Sequence, residues 1–376
     1  MKKILITYAT YGNGHKAIAE YIANYLDKNK YEIKLLNIMD YVGFLCNFSL
    51  KIHNFVTGHR FEHLFSFMYT TADNKLTVKL YNFLFRKIIY NKRVQKVFLD
   101  FNPDLVISSH FYGSNAAYYL KRKGLLDAKI MTIITDYSFH NFWTANDDKD
   151  EIFIVANDIV KREMIEKNVV SKNIYSYGLP FDILKFSDVM TKEKILKKYH
   201  IKENKKVVLL FMGGGNGSNA YMKYYKTLVK MNIPNTEIIV VCGKNESVKE
   251  ETELFKKYHN KKNIHILGFV NNVYELLKIS DIVISKPGGA TVTECLETKN
   301  IMIVLPGIGG QEKYNARFIC KNNHGVKVRF TFTFKKALLT LLKNEKEFKK
   351  LKNSYNKVSK NESLEKISKL IKKVLK

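Results

Sequence analysis

Short apolar runs recur along the chain, separated by stretches in which apolar residues have helical spacing. The runs are rich in Val, Ile and Leu without polar alternation, which is typical of parallel strands buried on both faces. Strands that alternate with helices predict an α/β fold with doubly wound parallel sheets. The predicted strands cover residues 3–7, 31–38, 104–108, 129–135, 152–155, 173–177, 206–212, 237–242, 264–267, 281–284 and 302–305.

This scheme starts twice along the chain. A strand followed by a glycine loop opens the sequence, and the same combination opens again near residue 206. A chain of 376 residues exceeds one core of usual size, so two domains are expected. We predict two Rossmann-like domains facing each other across a cleft. They are placed at residues 1–182 and 183–352, and a basic helix at 353–376 is expected to pack back on the first domain.

The most informative turn follows predicted strand 281–284 and reads Ser-Lys-Pro-Gly-Gly-Ala-Thr-Val-Thr-Glu. Pro287 ends the strand, Gly288 and Gly289 permit a tight turn, and a helix is predicted from Ala290. Free N–H groups and the positive end of the helix dipole suit a phosphate or diphosphate there. Glu294 can reach back over the helix start, where a carboxylate suits ribose hydroxyls. The alternative interpretation is an ordinary strand–turn–helix corner.

The first glycine loop carries a histidine where a helix begins. Gly12, Gly14 and Ala17 nominally fit the dinucleotide-binding fingerprint, but Asp40 comes later than the usual acidic position. His15 lies where a helix dipole keeps an imidazole close to neutral, so it can act as a general base. Two alternatives stay open: a histidine that only caps the helix, and a nicotinamide-dependent oxidoreductase built on this loop.

Other glycine loops are candidate ligand contacts. Residues 213–215 are three consecutive glycines after an apolar strand, which indicates close approach of a ligand to the backbone, with a flexible turn as the alternative. Gln311 and Glu312 stand at the start of another predicted helix, where an amide can bind sugar hydroxyls. Phe269 and Val270 end a strand and can present a ring and backbone groups to a base, although such residues are more often core.

Charge and composition narrow the class of partner. The net charge of +28 fits nucleic acid, an anionic membrane surface or a lysine-rich composition. Residues 43–93 combine aromatic and basic side chains at helical spacing, which predicts either core helices or a surface resting on anionic lipid. No apolar run approaches the ~20 residues of a membrane span, and the four scattered cysteines indicate reduced thiols in the cytosol.

Several signatures of other functions are missing. The sequence has no ATPase-type phosphate loop and no RNA-binding aromatic motif. Asp147, Asp148 and Asp150 lie in a polar loop and are interpreted as solvated rather than as a metal clamp. No metal is therefore expected.

The motifs also form a characteristic series in chain order. The series comprises Gly12-Asn13-Gly14-His15, Thr135-Asp136 with His140 and Trp143, the loop at Gly213, Lys286-Pro287-Gly288-Gly289 with Thr291 and Glu294, and Pro306 through Gly310-Gln311-Glu312 with Asn315-Ala316. It resembles the glycolipid-making glycosyltransferases of the monogalactosyldiacylglycerol synthase type, including the bacterial processive diacylglycerol glucosyltransferases. The resemblance spans about residues 3–342 and implies a GT-B fold, with the donor bound by the C-terminal domain and the acceptor by the N-terminal domain.

The resemblance also implies an activity and a set of roles. The enzyme would be an inverting, metal-independent glycosyltransferase, without a cofactor, that moves a hexose from a UDP-sugar to diacylglycerol. His15 would be the general base, and Asp136 would either orient it or bind the acceptor. The expected donor-binding residues are Gly14, Gly213, Gly214, Gly215, Asn216, Phe269, Val270, Lys286, Gly288, Gly289, Thr291, Glu294, Gly310, Gln311 and Glu312. The expected acceptor or membrane contacts are Phe83, Arg86, Lys87, His140 and Trp143.

The expected partners are UDP-hexose, diacylglycerol and an anionic membrane surface, with no nucleic acid. The expected location is peripheral, on the cytoplasmic face of the cell membrane. UDP-glucose and UDP-galactose are equal expectations for the donor. A nearer alternative keeps the fold and transfers N-acetylglucosamine from its UDP-sugar to a polyprenyl-linked acceptor.

Overall fold

A computed structural model describes residues 1–10, 13–42, 71, 73–74, 77–78, 80, 90–144, 149–182, 190–213, 218–307, 309–358 and 361–376. The strands are β1 (Lys2–Tyr8), β2 (Tyr31–Asn37), β3 (Leu105–Ser108), β4 (Lys129–Ile133), β5 (Ile152–Ile154), β6 (Ile174–Tyr175), β7 (Lys206–Phe211), β8 (Thr236–Val241), β9 (Ile264–Leu267), β10 (Ile282–Ser285), β11 (Ile301–Val304) and β12 (Gly325–Lys327).

The α-helices lie between these strands and after them. They are α1 (Asn13–Tyr25), α2 (Lys92–Phe101), α3 (Phe111–Arg122), α4 (Asp158–Glu166), α5 (Lys192–Lys198), α6 (Met222–Lys230), α7 (Glu246–Tyr258), α8 (Val273–Ile279), α9 (Gly289–Glu297), α10 (Gln311–Lys321), α11 (Thr331–Lys343), α12 (Glu345–Ser354) and α13 (Ser363–Val374).

The first sheet contains β1 to β6, all parallel, in the order β2-β1-β3-β4-β5-β6. Every residue of β3 is buried, which accounts for the apolar run at residues 105–107 that precedes Ser108. The chain lays β2 on one side of β1 and β3 on the other. Ligands of such sheets bind outside the carboxyl ends of the strands at this reversal, so the ends of β1 and β3 are the place to look for a site.

The second sheet contains β7 to β12, also parallel, in the order β12-β11-β10-β7-β8-β9. This is the strand order of a dinucleotide-binding Rossmann sheet, and its reversal lies between β7 and β10. Ile282 of β10 pairs with Val208 of β7, so the loops that follow these two strands emerge side by side. The two sheets confirm the predicted α/β class.

In the first unit, α3 packs directly on the sheet at Gly113. A Cβ at this position would lie 1.9 Å from Thr7 Oγ1 and 2.5 Å from Ser108 Oγ, so any larger residue would push the helix away. The two hydroxyls already contact each other, with Thr7 Oγ1 donating to Ser108 Oγ at 2.8 Å. This close packing fixes the start of α3 beside the ends of β1 and β3.

In the second unit, α6 and α11 meet through fully buried rings. Tyr224 and Phe334 are both 0% exposed, and their rings meet edge to face with centroids 5.3 Å apart. The Tyr224 hydroxyl donates to the Arg329 carbonyl at 2.8 Å, which anchors the segment between β12 and α11. Strand β12 was not predicted, because its three residues, Gly-Val-Lys, are too few for a periodic signal.

The described chain forms two compact units. One contains Met1–Phe181, Ile308–Tyr314 and Asn361–Lys376, and the other contains Asp182–Gly307 and Asn315–Lys360. Helix α13 packs in the first unit, where the Ser363 hydroxyl donates to the Leu179 carbonyl at 3.1 Å. The segment 308–314 also groups with the first unit, whereas the sequence placed it in the second domain.

No helix among the described residues combines the length and the apolar character needed to span a bilayer. The same residues contain no cluster of three His, Cys, Asp or Glu side chains able to hold a metal ion. Cys242, Cys295 and Cys320 are free thiols.

Candidate active site

The ends of β1, β3 and β4 bring three distant segments together in the first unit. β1 precedes the loop into α1, β3 precedes Ser109, and β4 is followed by Thr135. His15, on the first turn of α1, contacts Ser109 although 94 positions separate them. The contact lies where the strand order reverses, which is the expected ligand position.

Ser109 holds His15 through two hydrogen bonds. The Nδ1 atom of His15 lies 2.7 Å from the Ser109 carbonyl oxygen, and the Ser109 hydroxyl donates to the His15 carbonyl at 2.8 Å. The Ser109 N–H in turn donates to the Thr7 carbonyl at 3.0 Å. The Thr135 hydroxyl lies 3.2 Å from the same Nδ1 of His15. The orientation of the imidazole is therefore fixed by residues at the ends of three strands.

These contacts determine the tautomer and charge of His15. A carbonyl oxygen only accepts, so Nδ1 carries the proton and Nε2 keeps its lone pair. Burial lowers the pKa of His15 to about 4, against the opposing effect of the hydrogen bond to Ser109. His15 is therefore neutral at physiological pH, with Nε2 available to take a proton.

Aromatic rings surround His15. The His110 ring meets it edge-on at 5.0 Å between centroids, and the Trp143 ring lies 6.4 Å away. His110 also lies 6.2 Å from Trp143 and stacks on Phe111 at 4.2 Å. Burial, followed by the electrostatic interaction with the neighbouring His15 ring, lowers the pKa of His110 well below its usual value. This low-polarity wall suits an uncharged acceptor better than a charged one.

The structure places the predicted acceptor residues unequally. Trp143 belongs to the cluster around His15, and His140 stacks on Phe142, which stacks on Phe111. Phe83, Arg86 and Lys87 lie outside the described residues. Asp136 is buried, and among the described residues Ser109 and Thr135 contact His15 Nδ1 and orient the ring. Acceptor binding by Asp136 stays a prediction.

In the second unit, the turn after β10 can bind a ligand through backbone N–H groups rather than through side chains. Gly288 is the residue before α9, and no side chain in the described chain caps this helix. The first helical hydrogen bond runs from the Val292 N–H to the Gly288 carbonyl at 2.9 Å, so the N–H groups of residues 289–291 precede the helical ladder. Among the described residues, a Cβ on Gly288 would find only the Thr291 hydroxyl, at 4.0 Å. This open space over N–H groups and a positive dipole end fits a diphosphate.

Two backbone contacts fix the shape of this turn. The Gly288 N–H donates to the Lys286 carbonyl at 3.0 Å. The buried Asn315 side chain, from α10, donates to the Pro287 carbonyl at 3.0 Å. The turn is thus held in shape without using the N–H groups at the helix start.

Glu294 lies one turn into α9 and is half-buried. Burial raises its pKa from the usual 4.5 to about 7. No hydrogen-bond donor among the described residues contacts this carboxylate, so its oxygens could accept hydrogen bonds from the paired hydroxyls of a ribose.

The glycine loop after β7 lies beside that turn at the same strand reversal. Gly213 has φ +99°, and a Cβ there would lie 2.7 Å from the Ser218 Cβ, so the position requires glycine. Gly214, Gly215 and Asn216 lie outside the described residues. Gly14 is the second residue of α1, in the first unit, one position before His15.

The remaining predicted donor residues are dispersed. Phe269 is 48% exposed after β9 and carries the Lys244 ammonium 4.9 Å from its ring centroid, while Val270 is half-buried. Gly310 directly precedes α10, and Gln311 and Glu312 are its first two residues, in the segment that belongs to the first unit. Glu312 is buried and its N–H donates to the Gly309 carbonyl at 3.2 Å. The predicted contacts of these residues with a donor stay predictions.

Three residues with positioning contacts were missed from the sequence: Ser109, Thr135 as a partner of His15, and Asn315 as a support of the turn. A serine that directly follows a buried strand at a strand reversal was the available signal for Ser109. No local signal distinguishes the other two.

Comparisons with known proteins cover both halves of the chain. Residues 15–181 match the family model of monogalactosyldiacylglycerol (MGDG) synthase. Residues 208–374 match the model of the glycosyltransferase family 28 C-terminal domain.

Similar proteins extend over nearly the whole chain. The processive diacylglycerol beta-glucosyltransferase of Bacillus licheniformis is 27% identical over 360 residues, covering 94% of this chain and 90% of that protein. The enzyme of the same name from Bacillus subtilis (strain 168) is 28% identical over 359 residues, with the same two coverages.

Solved structures share the fold at low identity. MurG of Acinetobacter baumannii aligns with a TM-score of 0.63 at 14% identity, covering 99% of this chain and 100% of that chain. The UDP-GlcNAc 2-epimerase of Neisseria meningitidis bound to UDP-GlcNAc aligns with the same TM-score, identity and coverages. The S. aureus MnaA structure with UDP gives a TM-score of 0.67 at 14% identity, covering 100% and 97%. Both transferases and epimerases are therefore built on this GT-B architecture, and the fold alone does not select the reaction.

Proposed function

Since the chain belongs to the glycosyltransferase family of the monogalactosyldiacylglycerol synthases, we propose that it transfers a hexose from a UDP-sugar to the free hydroxyl of diacylglycerol. The observation that carries the proposal is the neutral His15, pinned through Nδ1 so that Nε2 is free to act as a base. The relatives named as diacylglycerol beta-glucosyltransferases favour glucose as the sugar.

The donor half of the reaction requires charge stabilisation on the departing diphosphate. The uncapped start of α9 supplies N–H groups and a dipole end, with open space above Gly288. Glu294 is proposed to accept hydrogen bonds from the ribose, and the ring of Phe269 to lie against the uracil. With the charge taken by backbone groups, the proposal needs no metal and no cofactor.

The acceptor half requires removal of a hydroxyl proton. In the proposed step, His15 Nε2 takes this proton while the acceptor oxygen forms its bond to the anomeric carbon. The bond from that carbon to the diphosphate oxygen breaks on the opposite face, UDP leaves, and the configuration inverts. A base with a pKa of about 4 takes the proton only as the hydroxyl becomes acidic, so proton transfer accompanies bond formation rather than preceding it.

Diacylglycerol resides in a bilayer, so the proposal includes attachment to an anionic membrane surface on its cytoplasmic face. The net charge of +28 and the basic, aromatic residues 43–93 support this part of the proposal. Nucleic acid is not a proposed partner.

The deciding experiment measures UDP release by the purified chain with vesicles containing diacylglycerol and phosphatidylglycerol. UDP-glucose, UDP-galactose and UDP-N-acetylglucosamine are compared, with and without a chelator. We expect release with a hexose donor that depends on diacylglycerol and is insensitive to the chelator.

Other outcomes would contradict specific parts of the proposal. Release that requires a polyprenyl-linked acceptor and UDP-N-acetylglucosamine would replace the acceptor and the sugar. Release without any acceptor would indicate hydrolysis or epimerase-type chemistry. NADH binding without UDP binding would refute the transferase assignment.

A further inference from the structure

Two phenylalanine side chains at the start of α11 are exposed to solvent. The segment reads Phe330-Thr-Phe332-Thr-Phe334, and only its last ring is buried. Phe330 is 52% exposed and Phe332 is 69% exposed, whereas Phe334 is 0% exposed. The two exposed rings are nearly coplanar, with centroids 5.5 Å apart and 5° between their planes. They form one apolar surface, here called the Phe330/Phe332 patch.

The local structure does not favour phenylalanine at this place. Phe330 occupies the position before the first residue of α11, where Ser, Thr, Asp or Asn would accept a hydrogen bond from the first helical turn. Thr333 compensates in part, because its hydroxyl accepts from the Phe330 N–H at 3.1 Å and donates to the Phe330 carbonyl at 2.8 Å. An apolar ring at an exposed capping position conflicts with both helix capping and solvation, and such local conflicts are expected at functional surfaces.

Basic side chains surround the patch. Lys327, Arg329, Lys335 and Lys336 are all exposed, and the Arg329 guanidinium lies 5.6 Å from the Phe330 ring centroid. Residues 313–344 contain no Asp or Glu. No ion pair within the described part of the chain involves Lys327, Lys335 or Lys336. These three lysines therefore have no carboxylate partner among the residues that the structure describes.

The patch lies at the functional edge of the second sheet. It follows β12, the outermost strand, at the carboxyl ends of the strands. The uncapped turn after β10 lies at the same edge, two strands away, which is roughly 10 Å in the hydrogen-bonding direction.

We propose that the Phe330/Phe332 patch is a membrane contact that inserts both rings into the headgroup region of an anionic bilayer. Exposed rings flanked by Lys327, Lys335 and Lys336 suit an anionic bilayer, which has negatively charged headgroups above an apolar interior. The use of this contact rests on the proposed function, because it would hold the second unit at the bilayer that contains the acceptor. It adds a second, independent contact to the one expected from residues 43–93.

The test compares two double variants in vesicle sedimentation with phosphatidylglycerol and phosphatidylcholine. Phe330→Ser/Phe332→Ser removes the patch, and Leu254→Ser/Tyr258→Ser is the matched control. Leu254 and Tyr258 are 68% and 85% exposed on α7 of the same unit, but that helix also carries Glu246 and Glu251 in ion pairs with Lys249 and Lys226. We expect the patch variant to bind phosphatidylglycerol vesicles about tenfold more weakly, with the control unchanged.

Stability separates this result from unfolding. Serine at position 330 supplies the missing cap, so the thermal midpoint of the patch variant should stay equal or rise while vesicle binding falls. UDP release with diacylglycerol dispersed in detergent micelles should remain at the wild-type level. A variant that loses activity in micelles as well would point to a role in catalysis and overturn the membrane assignment.

A depth measurement gives a second criterion. Phe332→Trp should be quenched by vesicles of brominated phosphatidylglycerol, and Tyr258→Trp should not, with the buried Trp143 as a constant background. Equal quenching of both reporters, or unchanged vesicle binding by the patch variant, would refute the proposal. Wild-type self-association that is lost in the patch variant would assign the patch to a second copy of the chain instead.

Discussion

The site around His15 and the turn at Gly288 are built by opposite means. His15 depends on side chains and carbonyls from three strand ends, including a partner 94 positions away. The Gly288 turn is a local backbone structure, in which β10, two glycines and α9 follow one another directly. The first is a tertiary arrangement, and the second is largely specified by ten consecutive residues.

The two sites also differ in the charge state that burial imposes. Burial lowers the pKa of His15 to about 4 and raises that of Glu294 to about 7, so the neutral form is favoured in both. For His15 the neutral form is the one a general base needs. For Glu294 it opposes the ionised form that best accepts hydrogen bonds from hydroxyls. His15 is therefore already in the protonation state that its proposed role requires, whereas Glu294 is partly protonated until a ligand binds.

The largest expected effect comes from His15→Ala. Loss of a general base should lower kcat for UDP release by ~10²–10⁴-fold, while UDP affinity measured by calorimetry stays near the wild-type value. His259→Ala, at the end of α7 in the second unit, is the matched control and should keep full activity. Turnover that survives in His15→Ala would remove His15 from the chemistry and leave it as a helix-start residue.

Two variants separate the contributions of the Gly288 turn and of Glu294 to the binding of UDP and pyrophosphate. Gly288→Val should weaken both UDP and pyrophosphate, because its side chain fills the open space over the helix start. Glu294→Gln should weaken UDP by ~10–100-fold, the value of hydrogen bonds to a charged group, and leave pyrophosphate unchanged. Calorimetric titration of each variant with each ligand provides the measurement. An equal loss of affinity for UDP and pyrophosphate in Glu294→Gln would show that this side chain does not bind the ribose.

Glu294 also predicts a dependence of stability on pH. Its folded pKa lies above the unfolded value, so the folded state retains the proton longer. The resulting stability is present below about pH 4.5 and is lost as the pH rises through about 7. Glu294→Gln should therefore be more stable than the wild type at about pH 8, by ~1–3 kcal/mol after allowing for partial exposure, and similar at about pH 4. Denaturant unfolding at both pH values checks this, and a variant destabilised at high pH would contradict it.

These effects show what the sequence could and could not predict. Strands buried on both faces have apolar runs, and these runs predicted the strand positions within a residue or two, as for β10 and β11. Pro287 and the two glycines after it predicted the start of α9. The three-residue strand β12 escaped because a period cannot be read from so short a run. Its partner β11 and the close approach of Gly325 to the Met302 carbonyl specify it only in the folded state.

Around His15, too, some features were visible in the local sequence and others are specified only by the folded structure. A histidine at a helix start is visible in the sequence, so His15 was identified as a candidate base. The sequence left the role of Asp136 open between orienting His15 and binding the acceptor. The observed partners are a backbone carbonyl and a hydroxyl, Ser109 and Thr135. Which strand ends become neighbours is set by sheet order, and no local pattern encodes it.

The smallest expected effect tests whether this tertiary arrangement matters for chemistry. Thr135→Val removes the hydroxyl 3.2 Å from His15 Nδ1, and Ser109→Ala removes the hydrogen bond to the His15 carbonyl. Each deletes about one net hydrogen bond, so kcat should fall by ~3–10-fold with KM for the donor unchanged. Thr135→Ser restores the hydroxyl and should restore kcat.

The tautomer of His15 is a separate check on the base assignment, because it depends on the Ser109 carbonyl and not on the Thr135 hydroxyl. Nitrogen NMR of His15 should show the proton on Nδ1 in the wild type and in Thr135→Ser, because the Ser109 carbonyl fixes it there. In Thr135→Val the same carbonyl still holds the proton, so the tautomer should persist while the ring becomes more mobile. If the proton were on Nε2 in the wild type, the nitrogen proposed to accept the acceptor proton would have no lone pair. The role of His15 as general base would then be wrong, although it is the site with the most tertiary contacts. The proposed role of the local turn at Gly288 in binding diphosphate would be unaffected.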